Sequence, residues 1–247
     1  MPLCDALGGA LRKSFVGYSS LYRYGDSEIV AEKCAQSMNN GYRSIKLHEI
    51  DPKIVKVARE ICGDGFPLMV DTNCPWDFDQ ALEIGLAMKP YDIFWLEEPI
   101  FPPEDFASLA RLQEKLGIPL VAGENACTAL EFGRMIDSNA VSYVQPSVTK
   151  IGGVTEWIKT AELATKKGVN LMPHSPYFGP GFLATLQTTA TIKGDSLMEW
   201  FQLDLDAYLY GEAMKPINGV FSLPTGMGLG LEPDKEVIKD YTAEIES

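Results

Sequence analysis

Three carboxylates end short apolar runs at nearly equal spacing along the chain. They are Asp71, Glu97 and Glu124, and the gaps between them are 26 and 27 residues. A gap of this length accommodates one strand, one helix and two loops, so a parallel β/α fold would place all three acids at the carboxyl end of neighbouring strands. Converging carboxylates repel one another, and their oxygens suit a hard divalent cation such as Mg²⁺. The alternative is three unrelated acids near helix N-termini, where acids are common.

The chain has two histidines, and both end apolar runs of the same kind. His48 ends the run that contains Lys46, and His174 ends a run much later in the chain. Side chains alternate along a strand, so Lys46 and His48 share one face, which is the inward face if either of them points inward. A lone histidine is more often structural. These two, however, lie at the same strand ends as the three carboxylates. The pattern predicts a site for acid–base chemistry beside a metal ion.

Strand-like and helix-like stretches alternate along most of the chain. Eight strands are predicted, at Phe15–Ser20, Ser44–His48, Leu68–Asp71, Ile93–Glu97, Leu120–Gly123, Val141–Gln145, Asn170–Pro173 and Leu197–Glu199. Seven helices are predicted, near Asp26–Asn39, Pro52–Cys62, Asp77–Met88, Pro103–Leu116, Thr128–Asp137, Val154–Lys167 and Gly181–Ile192. This order predicts an α/β fold, a closed TIM-like (β/α)7β barrel, with a doubly wound open sheet as the alternative. No G-x-G-x-x-G stretch follows the first strand, so dinucleotide binding has no support.

The alternation stops after Glu199, where proline and a glycine-rich stretch become frequent. We therefore predict a lead-in segment at residues 1–14, a barrel catalytic domain at residues 15–204 and an irregular C-terminal tail at residues 205–247. The tail contains one predicted helix near Pro233–Ile245. We expect it to pack against the outside of the barrel or against a neighbour.

Composition and charge exclude several classes of function. A net charge of −13 argues against nucleic acid or an anionic membrane as a partner. The sequence has no apolar stretch of the roughly 18 residues that cross a membrane, and its start lacks the pattern of a signal peptide. The five cysteines are widely spaced and odd in number, which predicts reduced thiols and a cytoplasmic location.

Taken together in this order, the motifs resemble those of the enolase superfamily, in its mandelate racemase and muconate lactonizing group. The similarity runs from Pro2 to about Asp204. The motifs that carry it are Lys46-Leu-His48, Val70-Asp71-Thr-Asn73, Trp95-Leu-Glu97-Glu98-Pro99, Ala122-Gly-Glu124-Asn125, Gln145-Pro-Ser-Val-Thr-Lys150-Ile-Gly-Gly153, His174 and Glu199-Trp200. Each motif is weak by itself, whereas their order and spacing are specific.

The resemblance implies roles for the residues at these positions. It implies Mg²⁺ ligands at Asp71, Glu97 and Glu124. It also implies that Glu199 helps to bind an oxygen of a substrate carboxylate and that Asn73 lies near the substrate or the metal. The cofactor expected on this basis is Mg²⁺, and the expected partner is a small carboxylate, a sugar acid.

The catalytic residues implied by the resemblance are Lys46, His48 and His174. Lys46 matches the first lysine of the Lys-x-Lys motif, and His48 stands where the second lysine often acts as the base. His174 matches a histidine on the opposite face of the substrate. The reaction implied is removal of the proton α to a carboxylate, for which Mg²⁺ stabilises the developing charge. Either histidine could abstract the proton while the other assists loss of a β-hydroxyl.

Two departures from the family pattern narrow the activity. His48 replaces a lysine, and Ser147 stands where racemases of the group commonly have an aspartate that pairs with the histidine. A serine does not stabilise an imidazolium as a carboxylate does. The sequence therefore favours an acid-sugar dehydratase over a racemase, epimerase or cycloisomerase of the same superfamily, which are the alternatives.

The third departure is length. The resemblance implies a capping domain ahead of the barrel, and this chain begins almost at the barrel, so the N-terminal capping domain is expected to be missing. A truncated, inactive metal-binding barrel is the alternative from a different class. We also expect a homo-oligomer or an exposed apolar patch, because the mouth is rich in apolar groups. These groups are Tyr22, Pro75-Trp76, Ile100-Phe101 and Tyr177-Phe178.

Overall fold

The structure, a computed structural model, describes residues 1–243. Its central sheet has eight short parallel strands, arranged in the hydrogen-bonded order β7-β6-β5-β4-β3-β2-β1-β8. Their bounds are β1 Ser14–Ser20, β2 Ile45–Leu47, β3 Leu68–Asp71, β4 Trp95–Glu97, β5 Leu120–Ala122, β6 Tyr143–Val144, β7 Asn170–Leu171 and β8 Met198–Phe201. This is the cyclic order of a β/α barrel, and the predicted TIM-like fold is confirmed.

Side chains join β7 to β8, where the sheet order begins and ends. No backbone ladder connects these two strands within residues 1–243. Instead, the Ser196 hydroxyl donates to the Leu171 carbonyl oxygen at 2.7 Å. The Leu197 amide lies 3.4 Å from the Met172 sulfur. The sheet therefore closes more loosely here than at its other edges.

The helices follow the predicted alternation, and six of the nine in residues 1–243 begin after a side chain that caps the helix. Their bounds are α1 Leu3–Ala6, α2 Ser27–Asn39, α3 Pro52–Cys62, α4 Phe78–Met88, α5 Phe106–Leu116, α6 Ala129–Asp137, α7 Val154–Lys167, α8 Pro180–Thr189 and α9 Lys235–Tyr241. Asp77 and Thr128 each form a capping box at the start of a helix. Asp105 accepts a hydrogen bond from the Ser108 amide at 3.0 Å, so α5 begins at Phe106 and not at Pro103 as predicted.

The strands separate two apolar layers. Leu47 and Val70 pack in the larger layer, between the strands and the surrounding helices. Side chains that point away from the helices fill the barrel interior. They are those of Tyr18, Met69, Trp95, Val121 and Met172. Because Leu47 faces the helices, its neighbours Lys46 and His48 face the barrel interior, which is the strand register that the sequence predicted.

Both ends of the described chain pack on the barrel. The Cys4 amide donates to the Gln187 Oε1 atom of α8 at 3.0 Å. The tail predicted as irregular contains β9, Val220–Ser222, which pairs antiparallel with β1 and places Phe221 opposite Phe15. Three residues beside a glycine give too short a pattern to predict a strand. The predicted helix at 233–245 is shorter, Lys235–Tyr241, and residues 244–247 lie outside the described residues. The division into three parts stays a prediction.

The apolar residues predicted at the mouth differ in exposure. Tyr22 and Phe101 are exposed, by 47% and 68%, whereas Trp76 and Ile100 are buried. The two exposed rings lie on the loops after β1 and β4, and the expectation of an apolar patch or an oligomer stays a prediction. Across residues 1–243, no helix combines the length and apolar character needed to span a membrane.

Candidate metal and acid–base site

Asp71, Glu97 and Glu124 converge at the carboxyl end of the barrel. Asp71 and Glu97 end adjacent strands in register, and Glu124 follows β5. One carboxylate oxygen of each lies within 4.8 Å of the others. Gly123 allows the chain to turn before Glu124, because its φ is +141° and a Cβ there would lie 2.6 Å from the Phe132 ring. The predicted convergence is therefore present in the structure.

Lys46 lies among these acids with 1% of its side chain exposed. Its Nζ atom is 3.0 Å from Asp71 Oδ2, 3.1 Å from Glu97 Oε1 and 2.9 Å from Glu199 Oε1. Burial lowers the pKa of Lys46, but the charges of Glu199 and Glu97 outweigh burial and raise the pKa well above its ordinary value. Lys46 thus stays charged and offers one donor to each of three carboxylates.

Asp71 and Glu97 differ in the ease with which they ionise. Burial raises the pKa of Asp71, but the charge of Lys46 and the hydrogen bond from His48 outweigh it and hold the pKa well below its usual range. Burial and the charge of Asp71 act together on Glu97 and raise its pKa well above its usual range. The two carboxylates oppose each other's ionisation, and Lys46 does not fully compensate them.

His48 lies beside Asp71 on one flank of the cluster. Its Nε2 atom is 3.2 Å from Asp71 Oδ2, and its Nδ1 atom is 2.5 Å from the Leu21 carbonyl oxygen. A carbonyl only accepts hydrogen bonds, so Nδ1 carries a proton. Nε2 is therefore the nitrogen available for proton transfer on the barrel side.

His174 lies on the other flank, after β7. Its Nε2 atom is 2.8 Å from Glu124 Oε2, and its Nδ1 atom is 3.4 Å from the Tyr177 hydroxyl. Burial raises the pKa of Glu124, but the hydrogen bond and charge of His174 outweigh it and lower the pKa to about 2. The two histidines therefore contact acids at opposite ends of the arc from β3 to β5.

The donor set fits a divalent cation. It consists of carboxylate oxygens alone, which hard cations such as Mg²⁺ and Ca²⁺ prefer. Burial and the charge of Asp71 raise the pKa of Glu97, so a cation beside these acids would favour their ionised form. Asp71, Glu97 and Glu124 are the residues that would hold the ion.

The amino-acid sequence matches the family described as enolase C-terminal domain-like over residues 29–237, which is most of the chain. The chain belongs to the enolase superfamily. The resemblance inferred from the motifs, including the mandelate racemase and muconate lactonizing group, is confirmed.

Two curated relatives in the enolase superfamily act on sugar acids by name. A 3,6-anhydro-α-L-galactonate cycloisomerase from Streptomyces coelicolor is 32% identical over 202 residues, covering 79% of this chain and 54% of the relative. An arabinonate dehydratase from Saccharolobus solfataricus is 30% identical over 252 residues, covering 97% of this chain and 66% of the relative. This chain thus spans about half to two thirds of the length of these relatives.

A solved structure resembles the chain over the whole barrel. It is described as a racemase from Streptomyces coelicolor with bound magnesium. It is 28% identical and has a TM-score of 0.81, and the match covers 97% of this chain and 68% of that one. A protein whose fold is closely similar to that of this chain therefore binds magnesium in its crystal structure.

Glu199 and Asn73, predicted from the superfamily motifs to contact substrate, occupy different depths. Glu199 is buried, and its oxygens accept hydrogen bonds from the Ser20 hydroxyl at 2.9 Å and the Ser175 amide at 3.3 Å. Burial raises the pKa of Glu199, but Lys46 outweighs it and lowers the pKa. Asn73 is exposed at the mouth and touches Asp71 through its backbone amide, which donates to Oδ1 at 3.1 Å.

Arg23 is a site residue that the sequence did not reveal. Its Nε atom donates to the His48 carbonyl oxygen at 2.5 Å, and its Nη2 atom donates to the Thr72 carbonyl oxygen at 3.0 Å and to Asn73 Oδ1 at 3.4 Å. It thereby joins the loops that follow β1, β2 and β3. The residue stands in no recognisable motif, so only the folded loops show its position.

Glu98 lies behind the metal-ligand candidates, with 3% of its surface exposed. Its Oε2 atom accepts a hydrogen bond from Asn125 Nδ2 at 2.8 Å, while Oε1 has no partner within residues 1–243. Burial, followed by the charges of Glu124 and Asp71, raises the pKa of Glu98 to about 7. Ionised Glu98 therefore lowers the free energy of unfolding of the metal-free chain near neutral pH.

We expect Glu98→Gln to stabilise the metal-free chain at pH 8 and to change it little at pH 4. The pKa of about 7 lies above the ordinary 4.5, so the stability that protonated Glu98 contributes is fully present below pH 4.5 and is lost as pH rises through 7. The gain at pH 8 should be at most about 3 kcal/mol, from the size of the shift. Urea unfolding with a chelator measures it, and an equal change at both pH values would contradict the assignment.

Proposed function

We propose that this chain is the catalytic barrel of a Mg²⁺-dependent acid-sugar dehydratase. The observation that carries the proposal is the convergence of Asp71, Glu97 and Glu124 between two flanking histidines. The substrate is a sugar acid, and the reaction removes the proton α to its carboxylate and then the β-hydroxyl. The activity belongs to the whole enzyme, of which this chain supplies the acid–base groups.

Charge complementarity supports this substrate class. Mg²⁺ held by the three acids would act as a Lewis acid toward the negative charge that develops on the substrate carboxylate. Lys46 keeps its positive charge beside Glu199, the residue expected to help bind a substrate carboxylate oxygen. Residues of this chain therefore supply a fixed cation, and their buried surroundings strengthen its effect.

The two histidines divide the proton transfers. One abstracts the α-proton, and the other donates a proton to the leaving hydroxyl. Both expose Nε2 toward the carboxylate cluster, at 3.2 Å from Asp71 for His48 and at 2.8 Å from Glu124 for His174. Imidazole can either accept or donate a proton, so the same side-chain type suits both roles.

A cycloisomerase is the second candidate, favoured by the 32% identity to the 3,6-anhydro-α-L-galactonate cycloisomerase. A racemase is less well supported, because Ser147 replaces the carboxylate expected behind His174. We further propose that the enzyme is cytoplasmic and homo-oligomeric and that it binds neither nucleic acid nor membrane, in keeping with its net charge of −13.

We expect His48→Asn and His174→Asn each to lower dehydration by about 10²–10⁴-fold, the usual contribution of a positioned acid or base. The experiment incubates both variants with a sugar-acid library and Mg²⁺ in D₂O and measures keto-acid product and deuterium at the α-carbon. The variant that lacks the base loses both signals, whereas the variant that lacks the acid still exchanges the α-proton.

Three outcomes contradict this proposal. Dehydration within tenfold of the parent in both variants would remove the histidines from the mechanism. Recovered substrate with deuterium, inverted configuration and no keto acid would identify a racemase. A product that is an isomer of the substrate apart from incorporated deuterium, with a newly formed or rearranged ring, would identify a cycloisomerase.

A further inference from the structure

The family pattern predicts an aspartate beside His174. In its place this chain has two hydroxyl groups, those of Ser147 and Tyr177. Ser147 is fully buried, and its Oγ atom lies 2.6 Å from the Tyr177 hydroxyl. The same Tyr177 hydroxyl lies 3.4 Å from His174 Nδ1. Tyr177 therefore stands between the serine and the histidine, where the sequence left His174 without a partner.

Ser147, Tyr177 and His174 can form one continuous chain of hydrogen bonds. A hydroxyl group both donates and accepts, so Tyr177 can bond to Ser147 Oγ and to His174 Nδ1 at the same time. His174 is then held at both ring nitrogens, because its Nε2 atom lies 2.8 Å from Glu124 Oε2.

We propose that Tyr177, anchored by Ser147, is the positioning residue of His174. It holds the imidazole ring in place through Nδ1, as the carboxylate of a catalytic triad does. Tyr177 acts through His174 and not on the substrate. The consequence for turnover rests on the proposed function, whereas the contact and its effect on the imidazole do not.

The surroundings of Tyr177 suit a fixed hydroxyl. Its ring meets the imidazole edge to face at 5.8 Å. A Cβ at Gly181 would lie 2.5 Å from Thr149 Cγ2 and 3.3 Å from the Tyr177 ring, so the glycine leaves room for both side chains. Thr149 Oγ1 lies 3.1 Å from Ser147 Oγ and extends the contacts toward solvent. The hydroxyl chain thus begins at an exposed threonine and ends at the barrel interior.

Nitrogen-15 NMR of the histidine rings tests the proposal directly, because the chain has only two histidines. We expect Tyr177→Phe to shift the His174 Nδ1 signal, with and without Mg²⁺, because the nitrogen loses its contact with the hydroxyl. The His48 signals should not move, because His48 Nδ1 donates to the Leu21 carbonyl oxygen. Ser147→Ala, which removes the anchor and keeps the tyrosine, should shift the same His174 signal by a smaller amount.

Tyr208→Phe is the matched control. It also removes the hydroxyl of a half-buried tyrosine, one that donates to the Leu203 carbonyl oxygen, and it should leave both histidines unchanged. An unchanged His174 Nδ1 signal in folded Tyr177→Phe would overturn the proposal, as would an equal shift in Tyr208→Phe.

Steady-state kinetics separates this proposal from the proposed function. On the sugar acid with the highest turnover, Tyr177→Phe should lower kcat by roughly 10- to 100-fold and leave KM nearly unchanged, because a misplaced catalytic group slows the chemical step. A higher KM with unchanged kcat would overturn the positioning role. A different result is that Tyr177→Phe alters the His174 signal while the parent chain dehydrates no sugar acid. That result would reject the proposed function, but Tyr177 would remain the partner of His174.

Discussion

Replacing Lys46 with methionine is expected to destabilise the metal-free chain by about 3–5 kcal/mol, the usual cost of removing one partner from a buried ion pair. Lys46 Nζ contacts Asp71, Glu97 and Glu199 within 3.1 Å. Methionine fills a similar volume, so the loss would come from charge and not from a cavity. Urea unfolding at neutral pH, with a chelator present, measures the effect.

Lys159→Met is the control for this substitution. Lys159 forms an exposed pair with Glu156 on the surface of α7, with atoms 2.6 Å apart, and its loss should leave the unfolding midpoint nearly unchanged. If Lys46→Met lowers the free energy of unfolding by less than about 1 kcal/mol, the buried acids are neutralised by bound protons and not by Lys46. Mg²⁺ should restore part of the lost stability, because an ion bound to the folded chain alone stabilises it.

The inner surface of the barrel was predictable because its rules are local. Alternation along β2 places Lys46 and His48 on the face opposite Leu47. A constant strand-to-strand interval places Asp71 and Glu97 at equal depth, and they are in register. Neither inference needs knowledge of the loops, because strand geometry alone fixes the direction of each side chain.

The loops at the mouth could not be predicted in the same way. Arg23 donates to the His48 and Thr72 carbonyl oxygens, and such contacts depend on how three separate loops fold together. Tyr177 reaches Ser147 across 30 residues of sequence, and no periodicity connects them. The start of α5 was misplaced for a simpler reason, since three polar or cyclic residues before Phe106 offer several places for a helix to begin.

Glu97→Gln is the second substitution with a large expected effect. It removes one anionic ligand. Trp95 Nε1 donates a hydrogen bond to Glu97 Oε2 at 3.1 Å, and the amide oxygen of glutamine can still accept it. Because the charge of Asp71 already raises the pKa of Glu97, the neutral side chain should not unfold the chain. We expect Mg²⁺ affinity to fall by more than the roughly 10- to 100-fold that loss of an outer partner of a metal ligand costs. Dehydration should fall with it.

Glu104→Gln is the control, because Glu104 is an exposed acid on the loop before α5 and should leave Mg²⁺ binding unchanged. The central claim is that Asp71, Glu97 and Glu124 form one divalent-cation site, and calorimetric titration of the unmodified chain with Mg²⁺ tests it most directly. We expect saturable binding of one ion per chain, which Glu97→Gln weakens by more than about 100-fold and Glu104→Gln leaves unchanged. Absence of saturable binding to the unmodified chain, or equal binding to Glu97→Gln, would contradict it.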